Sequence, residues 1–184
     1  TTSFTPTDDS VYEGNETAVI SVSSVSGADA AESGSQSVTI TITENESSPT
    51  ITLATSATSI AENAGSSLTL TATSSIAADE DITVSISTSG TGTEGTDYST
   101  ISDITISAGD TTGTSSFTPS DDSVYEGNET GIVAISTVSG GSATEDGTQS
   151  VTITITENES SPTITLATSA TSIAENAGSS LTLT

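Results

Sequence analysis

Acidic residues cluster in a short string that occurs twice in this sequence. FTPSDDSVYEGNET spans residues 117–130, and FTPTDDSVYEGNET spans residues 4–17. Two carboxylates about 4 Å apart repel each other by about 4 kcal/mol at an effective dielectric constant of 20, so several of them brought together need a cation. Oxygen ligands at flexible spacing suit Ca²⁺ better than Mg²⁺, and a chain without His or Cys is a poor ligand set for Zn²⁺. The string therefore predicts a calcium site if the loops that carry these acids converge.

The charge composition leaves these carboxylates without any cationic side chain as a partner. The chain of 184 residues contains 25 Asp and Glu residues, no Lys, Arg or His, and has a net charge of −25. Each carboxylate must therefore be solvated, accept hydrogen bonds from backbone N–H groups or bind a cation. Binding to nucleic acid or to an anionic membrane surface is close to excluded, because both depend on Lys and Arg. No apolar run approaches the length of a membrane span, so we expect no membrane insertion by this chain.

The same composition argues against an enzyme. Without His, Cys or Lys, only a pair of carboxylates could transfer protons, and no Ser lies in a recognisable nucleophile motif. The lack of Cys also excludes a disulfide framework, on which small secreted domains often depend. We therefore expect no catalysis, and we expect the fold to be stabilised by something other than disulfide bonds.

Alternating apolar and polar residues predict an all-β chain. Alternation of Val, Ile and Leu with Ser and Thr argues against disorder, which an apolar fraction of 30% and the high net charge would otherwise suggest. Seven short runs in one unit predict an Ig-like seven-stranded antiparallel β-sandwich whose acids lie in the connections. The runs span residues 50–55, 66–73, 81–88, 101–108, 112–119, 130–137 and 149–157. The alternation assigns to the inner faces Leu68, Leu70, Val84, Ile86, Ile104, Ile106, Phe117, Val133, Ile135, Val151, Ile153 and Ile155.

Internal repetition in the sequence predicts that these sandwiches occur in tandem. Residues 38–71 recur without change as residues 151–184, so the period is 151 − 38, or 113 residues. We expect residues 1–48 to be the C-terminal half of one repeat, residues 49–161 a complete repeat, and residues 162–184 the N-terminal part of the next. Because the chain begins within the pattern, we expect it to be a fragment of a longer array.

Four acidic motifs lie along the complete repeat: IAENAG at residues 60–65, TGTEGTDY at 91–98, DDSVYEGNE at 121–129 and TENE at 156–159. Together these motifs resemble the Calx-beta repeat, a calcium-binding β-sandwich of the type found in sodium/calcium exchangers and in long bacterial surface proteins. The resemblance implies that calcium binds between loops at one end of the sandwich. Where strong calcium binders of the family carry a run of aspartates, this sequence has TENE, which favours fewer or more weakly bound ions.

The resemblance also implies a set of calcium ligands. In the complete repeat these are Glu62, Asp97, Asp121, Asp122, the carbonyl of Val124, Glu126, Glu157 and Glu159. The equivalent residues of the two partial repeats are Asp8, Asp9, Val11, Glu13, Glu44, Glu46 and Glu175. The alternative is that these acids form a solvated rim that keeps the protein soluble. We interpret Tyr98 and Tyr125 as core residues at the ends of the sandwich, with a carbohydrate-stacking surface as the alternative.

Repetition, short joints and exposed Ser and Thr favour a structural role. We expect a secreted or cell-surface, calcium-stabilised stalk or fibre, of bacterial origin, whose partners are calcium ions, neighbouring repeats and, in a filament, identical chains. The alternative is an adhesin module that binds a glycan or a protein through its loops. An aromatic fraction of 3% and the absence of Arg leave few of the residues that dominate binding interfaces.

Overall fold

A computed structural model describes all residues from 1 to 184, and every regular element in it is a β-strand. No helix is present that is long and apolar enough to cross a membrane. The thirteen strands are β1 (Val11–Tyr12), β2 (Glu16–Ser21), β3 (Ser37–Ile42), β4 (Thr50–Thr55), β5 (Ser59–Ala61), β6 (Leu68–Ser74), β7 (Ala77–Ala78), β8 (Ile82–Gly90), β9 (Ile104–Ile106), β10 (Thr112–Phe117), β11 (Glu129–Ser139), β12 (Thr144–Glu145) and β13 (Ser150–Thr156).

One complete sandwich lies between β4 and β13. Its first sheet has the strand order β10–β6–β4–β12, and its second sheet has the order β5–β13–β11–β8–β9. All seven runs of alternating residues form strands in these two sheets, which confirms the all-β prediction. The alternation works because β-branched Ile, Val and Thr suit a pleated strand, and one face of each strand is buried against the opposite sheet.

Two short parallel pairs add to the antiparallel pairs that make up most of the sandwich. β5 pairs in parallel with β13, and β12 pairs in parallel with β4. β4 belongs to one sheet, and β5, after the short connection at residues 56–58, belongs to the other. The chain therefore crosses from the first sheet to the second between β4 and β5. This crossing brings the end of β5 beside the end of β13, which positions the acids described below.

The hydrophobic core comes entirely from the complete repeat. It consists of 18 buried residues: Ile51, Leu53, Ile60, Leu70, Ala72, Ala78, Ile82, Val84, Tyr98, Ile101, Ile104, Ile106, Phe117, Val133, Ile135, Ala143, Ile153 and Ile155. Of the residues assigned to the inner faces from the sequence, Leu68, Ile86 and Val151 are only partly buried and pack against this core. The remaining assigned residues are members of the core itself.

The two aromatic predictions have different outcomes. Tyr98 is 1% exposed and stacks on Phe117, with ring centroids 4.6 Å apart. Its interpretation as a core residue is confirmed. Tyr125 is 43% exposed, so the same interpretation was wrong for Tyr125, which lies in the loop between β10 and β11.

The partial repeats form little structure of their own. Residues 1–48 contain the antiparallel hairpin of β2 and β3 and the short strand β1. Residues 162–184 contain no strand and only one isolated bridge, between Thr168 and Leu183. Neither segment contributes a residue to the core, because each lacks the strands that would cover its apolar face.

Candidate metal centre

Strand pairing brings the acids of the complete repeat to one end of the sandwich. β5 and β13 run in parallel, and the Glu62 N–H, directly after β5, donates a hydrogen bond to the Thr156 carbonyl at 3.0 Å. Glu62 therefore lies beside the acidic segment that follows β13. In the same way, the Ser120 N–H donates to the Asp97 carbonyl at 2.9 Å, which holds the loop after β8 against the loop after β10.

Three groups of carboxylates result from this arrangement. Within each group, one carboxylate oxygen from each residue lies within 4.8 Å of the others. The groups are Glu62 with Glu157 and Glu159, Glu62 with Asp122 and Glu126, and Asp97 with Glu126 and Glu129. Because Glu62 and Glu126 each belong to two groups, the three form one continuous acidic cluster. Oxygen ligands at these separations are the type that Ca²⁺ prefers in proteins.

Glu62 is the central and most buried carboxylate of the cluster. It is 8% exposed, and its Oε1 accepts a hydrogen bond from the Asp122 N–H at 3.3 Å. Burial raises the pKa of Glu62 above its usual value, and the neighbouring carboxylates of Glu157, Asp122 and Asp121 raise it further. A buried carboxylate among other carboxylates is costly without a positive charge. No Lys, Arg or His exists in the chain to supply that charge.

Glu157 organises the loop that carries Glu126. One of its oxygens accepts hydrogen bonds from the N–H groups of Glu126 and Gly127, both at 2.7 Å. The other accepts from the N–H groups of Asn158 and Glu159, both at 3.0 Å. These backbone hydrogen bonds, that of Glu159 first, lower the pKa of Glu157 to about 2. Glu157 is therefore ionised throughout the physiological pH range and links two loops of the cluster.

The pKa of Glu159 is shifted in the opposite direction to that of Glu157. Its hydrogen bond with the Glu157 side chain and its partial burial raise its pKa to about 7. One oxygen of Glu159, Oε2, is buried and has no hydrogen-bond partner. Buried polar atoms are normally satisfied, so an unpaired carboxylate oxygen inside an acidic cluster fits a cation ligand. The donor set of the cluster thus fits Ca²⁺ on two observations, the buried Glu62 and this unpaired oxygen.

Glu129 belongs to the cluster but was not among the ligands expected from the sequence. It is the first residue of β11. Burial is the main cause that raises the pKa of Glu129, and the nearby carboxylates of Asp97 and Glu126 raise it further. Burial likewise raises the pKa of Glu126. The signal for Glu129 was its place three residues after Glu126 within the repeated acidic string.

The other expected ligands of the complete repeat lie at the margin of the cluster. Asp122 belongs to one of the three groups, and its Oδ1 also accepts a hydrogen bond from the Val124 N–H at 2.6 Å. This contact is the turn that Asp side chains commonly form with the backbone two residues later. Asp121 is exposed and outside the three groups, and Val124 is 58% exposed. Their roles as ligands remain predictions.

The profile of the Calx-beta domain matches residues 2–46 and again residues 44–159, which together span most of the chain. The chain belongs to the Calx-beta family. The resemblance inferred from the acidic motifs is thereby confirmed, as is the β-sandwich fold that it implied.

Comparison with solved structures finds one similar domain of known structure. The chain is similar to the crystal structure of the apo form of the Calx CBD1 domain, with 17% sequence identity and a TM-score of 0.49. The match covers 61% of this chain and 99% of that chain. No curated protein sequence matches the chain significantly.

The first Calx-beta copy reproduces only part of the cluster. Glu44 accepts hydrogen bonds from the N–H groups of Glu13 and Gly14, both at 2.7 Å, as Glu157 does in the complete copy. Hydrogen bonds from backbone N–H groups, that of Glu46 first, lower the pKa of Glu44 to about 2, and the Glu44 side chain raises the pKa of Glu46. Asp9 accepts from the Val11 N–H at 2.8 Å.

No group of three converging carboxylates forms in this first copy or in the last one. Asp8, Asp9, Glu13, Glu44 and Glu46 belong to none of the three groups. Glu175, the equivalent of Glu62 in the last copy, is exposed and belongs to no group. The converging carboxylates therefore all lie in the complete repeat.

Proposed function

We propose that this chain is part of a calcium-stabilised array of Calx-beta repeats that serves as an extracellular stalk or fibre. The observation that carries the calcium assignment is Glu62, a carboxylate that is 8% exposed and surrounded by acids in a chain without basic side chains. An ion that binds the folded cluster, and not the unfolded chain, adds its binding free energy to the stability of the fold.

Three further features support a structural role. The repeat has a period of 151 − 38, or 113 residues, and residues 38–71 recur without change as residues 151–184, which suits a protein whose length matters. The outer strand faces are rich in uncharged Thr and Ser, and the acids are concentrated in the loops. The chain also lacks the His, Cys and Lys side chains on which most catalysis depends. We therefore infer a supporting role outside the cell, with calcium, neighbouring repeats and, in a filament, identical chains as partners.

The calcium assignment is tested by replacing Glu62 with its uncharged isostere. Calcium binding by the full chain is measured by isothermal titration calorimetry for the native protein, for Glu62→Gln and for Glu175→Gln. Glu175→Gln is a matched control, because Glu175 lies in the same IAENAG string but is exposed and outside the cluster.

The proposal predicts that Glu62→Gln weakens calcium binding at least about tenfold, the loss expected when one charged ligand is removed, while Glu175→Gln leaves it unchanged. Gln retains an oxygen that can accept the Asp122 N–H, so the loop is expected to keep its shape. Equal affinities for both variants, or no calcium binding by the native chain, would contradict the assignment.

A further inference from the structure

The SVYEG string has a covered copy and an exposed copy in the same molecule. Val11 and Tyr12 are half-buried, whereas the equivalent residues Val124 and Tyr125 are 58% and 43% exposed. The local sequence is identical in the two copies. The difference must therefore come from what lies against the string.

The first copy is covered by the repeat that follows it. Val11–Tyr12 pairs in parallel with Ala77–Ala78, which forms strand β7 of the complete repeat. The Asp79 N–H extends this pairing by donating to the Tyr12 carbonyl at 3.1 Å. Two residues of one repeat thus add a short strand to the next, with backbone hydrogen bonds that do not depend on side-chain identity.

The receiving strand is fixed within its own repeat. Ala78 is 1% exposed and belongs to the core, and its carbonyl accepts a hydrogen bond from the Gly109 N–H at 2.8 Å. A Cβ atom at Gly141 would lie 2.8 Å from the Ala78 Cβ, so the backbone approaches Ala78 as closely as glycine permits. β7 is therefore held in place by contacts within its own repeat.

The presenting loop keeps equivalent hydrogen bonds whether or not it is covered. Asp9 caps the Val11 N–H at 2.8 Å in the covered copy, and Asp122 caps the Val124 N–H at 2.6 Å in the exposed copy. Glu44 and Glu157 likewise each bind two N–H groups of their loops at 2.7 Å. A loop held by its own carboxylates loses little conformational entropy when it docks.

The proline that begins each repeat shows the same difference in exposure between the two copies. Pro49, at the start of the complete repeat, is buried, and its carbonyl accepts a hydrogen bond from the Thr144 N–H at 3.0 Å. Pro162, its equivalent one repeat later, is exposed. The joint before the complete repeat is therefore held at two points, by the pairing of β1 with β7 and by the buried Pro49.

We propose that the SVYEG segment of each repeat is a docking strand whose partner is the two-residue strand of the following repeat, equivalent to Ala77–Ala78. For Val124–Tyr125 the equivalent partner begins at position 77 + 113, or 190. Docking at every joint fixes the orientation of successive repeats and makes the array a stiff rod. This inference concerns the joint and does not depend on whether the acidic cluster binds calcium.

Cysteine cross-linking in the full chain tests the docking directly, because the native chain contains no Cys. In one variant Val11→Cys is combined with Ala77→Cys, which are register partners in the structure. In the matched control Val124→Cys is combined with Ala77→Cys. Register partners lie within the Cα separation of about 4.4–6.8 Å that a disulfide requires. Both variants are oxidised in calcium and in EGTA, and the products are identified by mass spectrometry of proteolytic fragments.

Docking predicts that the first pair forms its disulfide at least about tenfold faster than the control pair in every condition where the chain is folded. Chance encounters would favour the control, whose cysteines are separated by 124 − 77, or 47, residues against 77 − 11, or 66. Equal rates, or no cross-link in the first pair, would overturn the proposal.

Hydrogen exchange of the native chain provides a second measurement that needs no substitution. The Asp79 amide, which donates to the Tyr12 carbonyl, is expected to exchange at least about tenfold more slowly than in an unstructured peptide. Exchange of Asp79 at the unstructured rate would show that the docked strand does not persist in solution, and would overturn the proposal independently.

Discussion

At the scale of single residues, the acidic cluster combines carboxylates with opposite protonation behaviour. Glu157 has a pKa of about 2 because backbone N–H groups stabilise its charge, whereas Glu159 has a pKa of about 7 because it hydrogen-bonds to Glu157 and is partly buried. The two side chains are two residues apart in the sequence. A proton on Glu159 and a bound cation therefore compete for the same place.

This competition predicts opposite pH responses with and without calcium. The folded-state pKa of Glu159, about 7, lies above the usual value of 4.5, so its ionisation destabilises the calcium-free fold at pH 8 and this cost disappears as the pH falls from 7 towards 4.5. We expect the melting temperature in calcium-free buffer, measured by circular dichroism, to rise as the pH is lowered from 8 to 5. Calcium affinity, measured by calorimetry, should fall over the same range because binding displaces the proton.

The variant Glu159→Gln assigns this effect to one residue. It should flatten both pH responses, whereas Asp110→Asn, at an exposed position outside the cluster, should leave them as they are in the native chain. If the responses of the Glu159→Gln protein match those of the native chain, Glu159 is not the group that binds the proton.

Residue types and motif spacing predicted most of the cluster but not its internal arrangement. Glu62, Asp97 and Glu126 were expected from the motifs, and the structure brings all three into the cluster. Glu129 was missed because its place depends on where β11 begins, and strand ends are not encoded by alternation alone. Asp121 lies outside the three groups although it precedes Asp122, since the turn at Asp122 is a backbone feature that residue type does not specify.

At the scale of secondary-structure elements, alternation located all seven main strands and failed for the short ones. β5, β7 and β12 have only two or three residues each and lie outside the runs of alternating residues. Two of these short strands nevertheless position the acidic cluster and form the contact between successive repeats. β5 positions Glu62, and β7 receives the preceding repeat.

The packing of β10 against the end of the core gives a prediction with an internal control. Phe117, the last residue of β10, is fully buried and stacks on Tyr98, whereas Phe4, in the equivalent string of the first copy, is 44% exposed. Phe117→Ala should lower the free energy of unfolding by about 3–5 kcal/mol, the usual cost of truncating a buried Phe. Phe4→Ala should change it by less than about 0.5 kcal/mol.

Guanidinium unfolding in saturating calcium measures both changes. The expected result is a large shift of the midpoint for Phe117→Ala and almost none for Phe4→Ala. Comparable shifts in the two variants would mean that the first copy contributes to the cooperative unit, contrary to the distribution of the core.

At the scale of the whole molecule, identical sequences occupy very different environments. Ile51 is 0% exposed and Ile164, its equivalent one period later, is 94% exposed. The neighbouring residues are the same in both copies, so the difference in burial comes from the residues packed against each copy and not from the local sequence. Repetition in the sequence predicts the length of the unit, but burial depends on tertiary contacts that local sequence does not specify.

The distribution of the core predicts that residues 49–161 fold without the partial repeats. All 18 core residues lie between Ile51 and Ile155. We expect this segment alone to unfold cooperatively, with a midpoint close to that of the main transition of the full chain, and to retain the calcium affinity of the full chain. Loss of cooperative unfolding in the isolated segment would contradict the assigned repeat boundaries.

The most direct test of the central claim is thermal unfolding of the full chain in EGTA, in millimolar Ca²⁺ and in millimolar Mg²⁺. If the acidic cluster binds calcium, an ion concentration of about 100 times the dissociation constant should stabilise the fold by about 2.7 kcal/mol and raise the melting temperature by roughly 10 °C. Mg²⁺ should have a much smaller effect, because it demands octahedral geometry and keeps its waters. Equal melting temperatures in all three buffers would contradict the account and would indicate that the acids form a solvated rim.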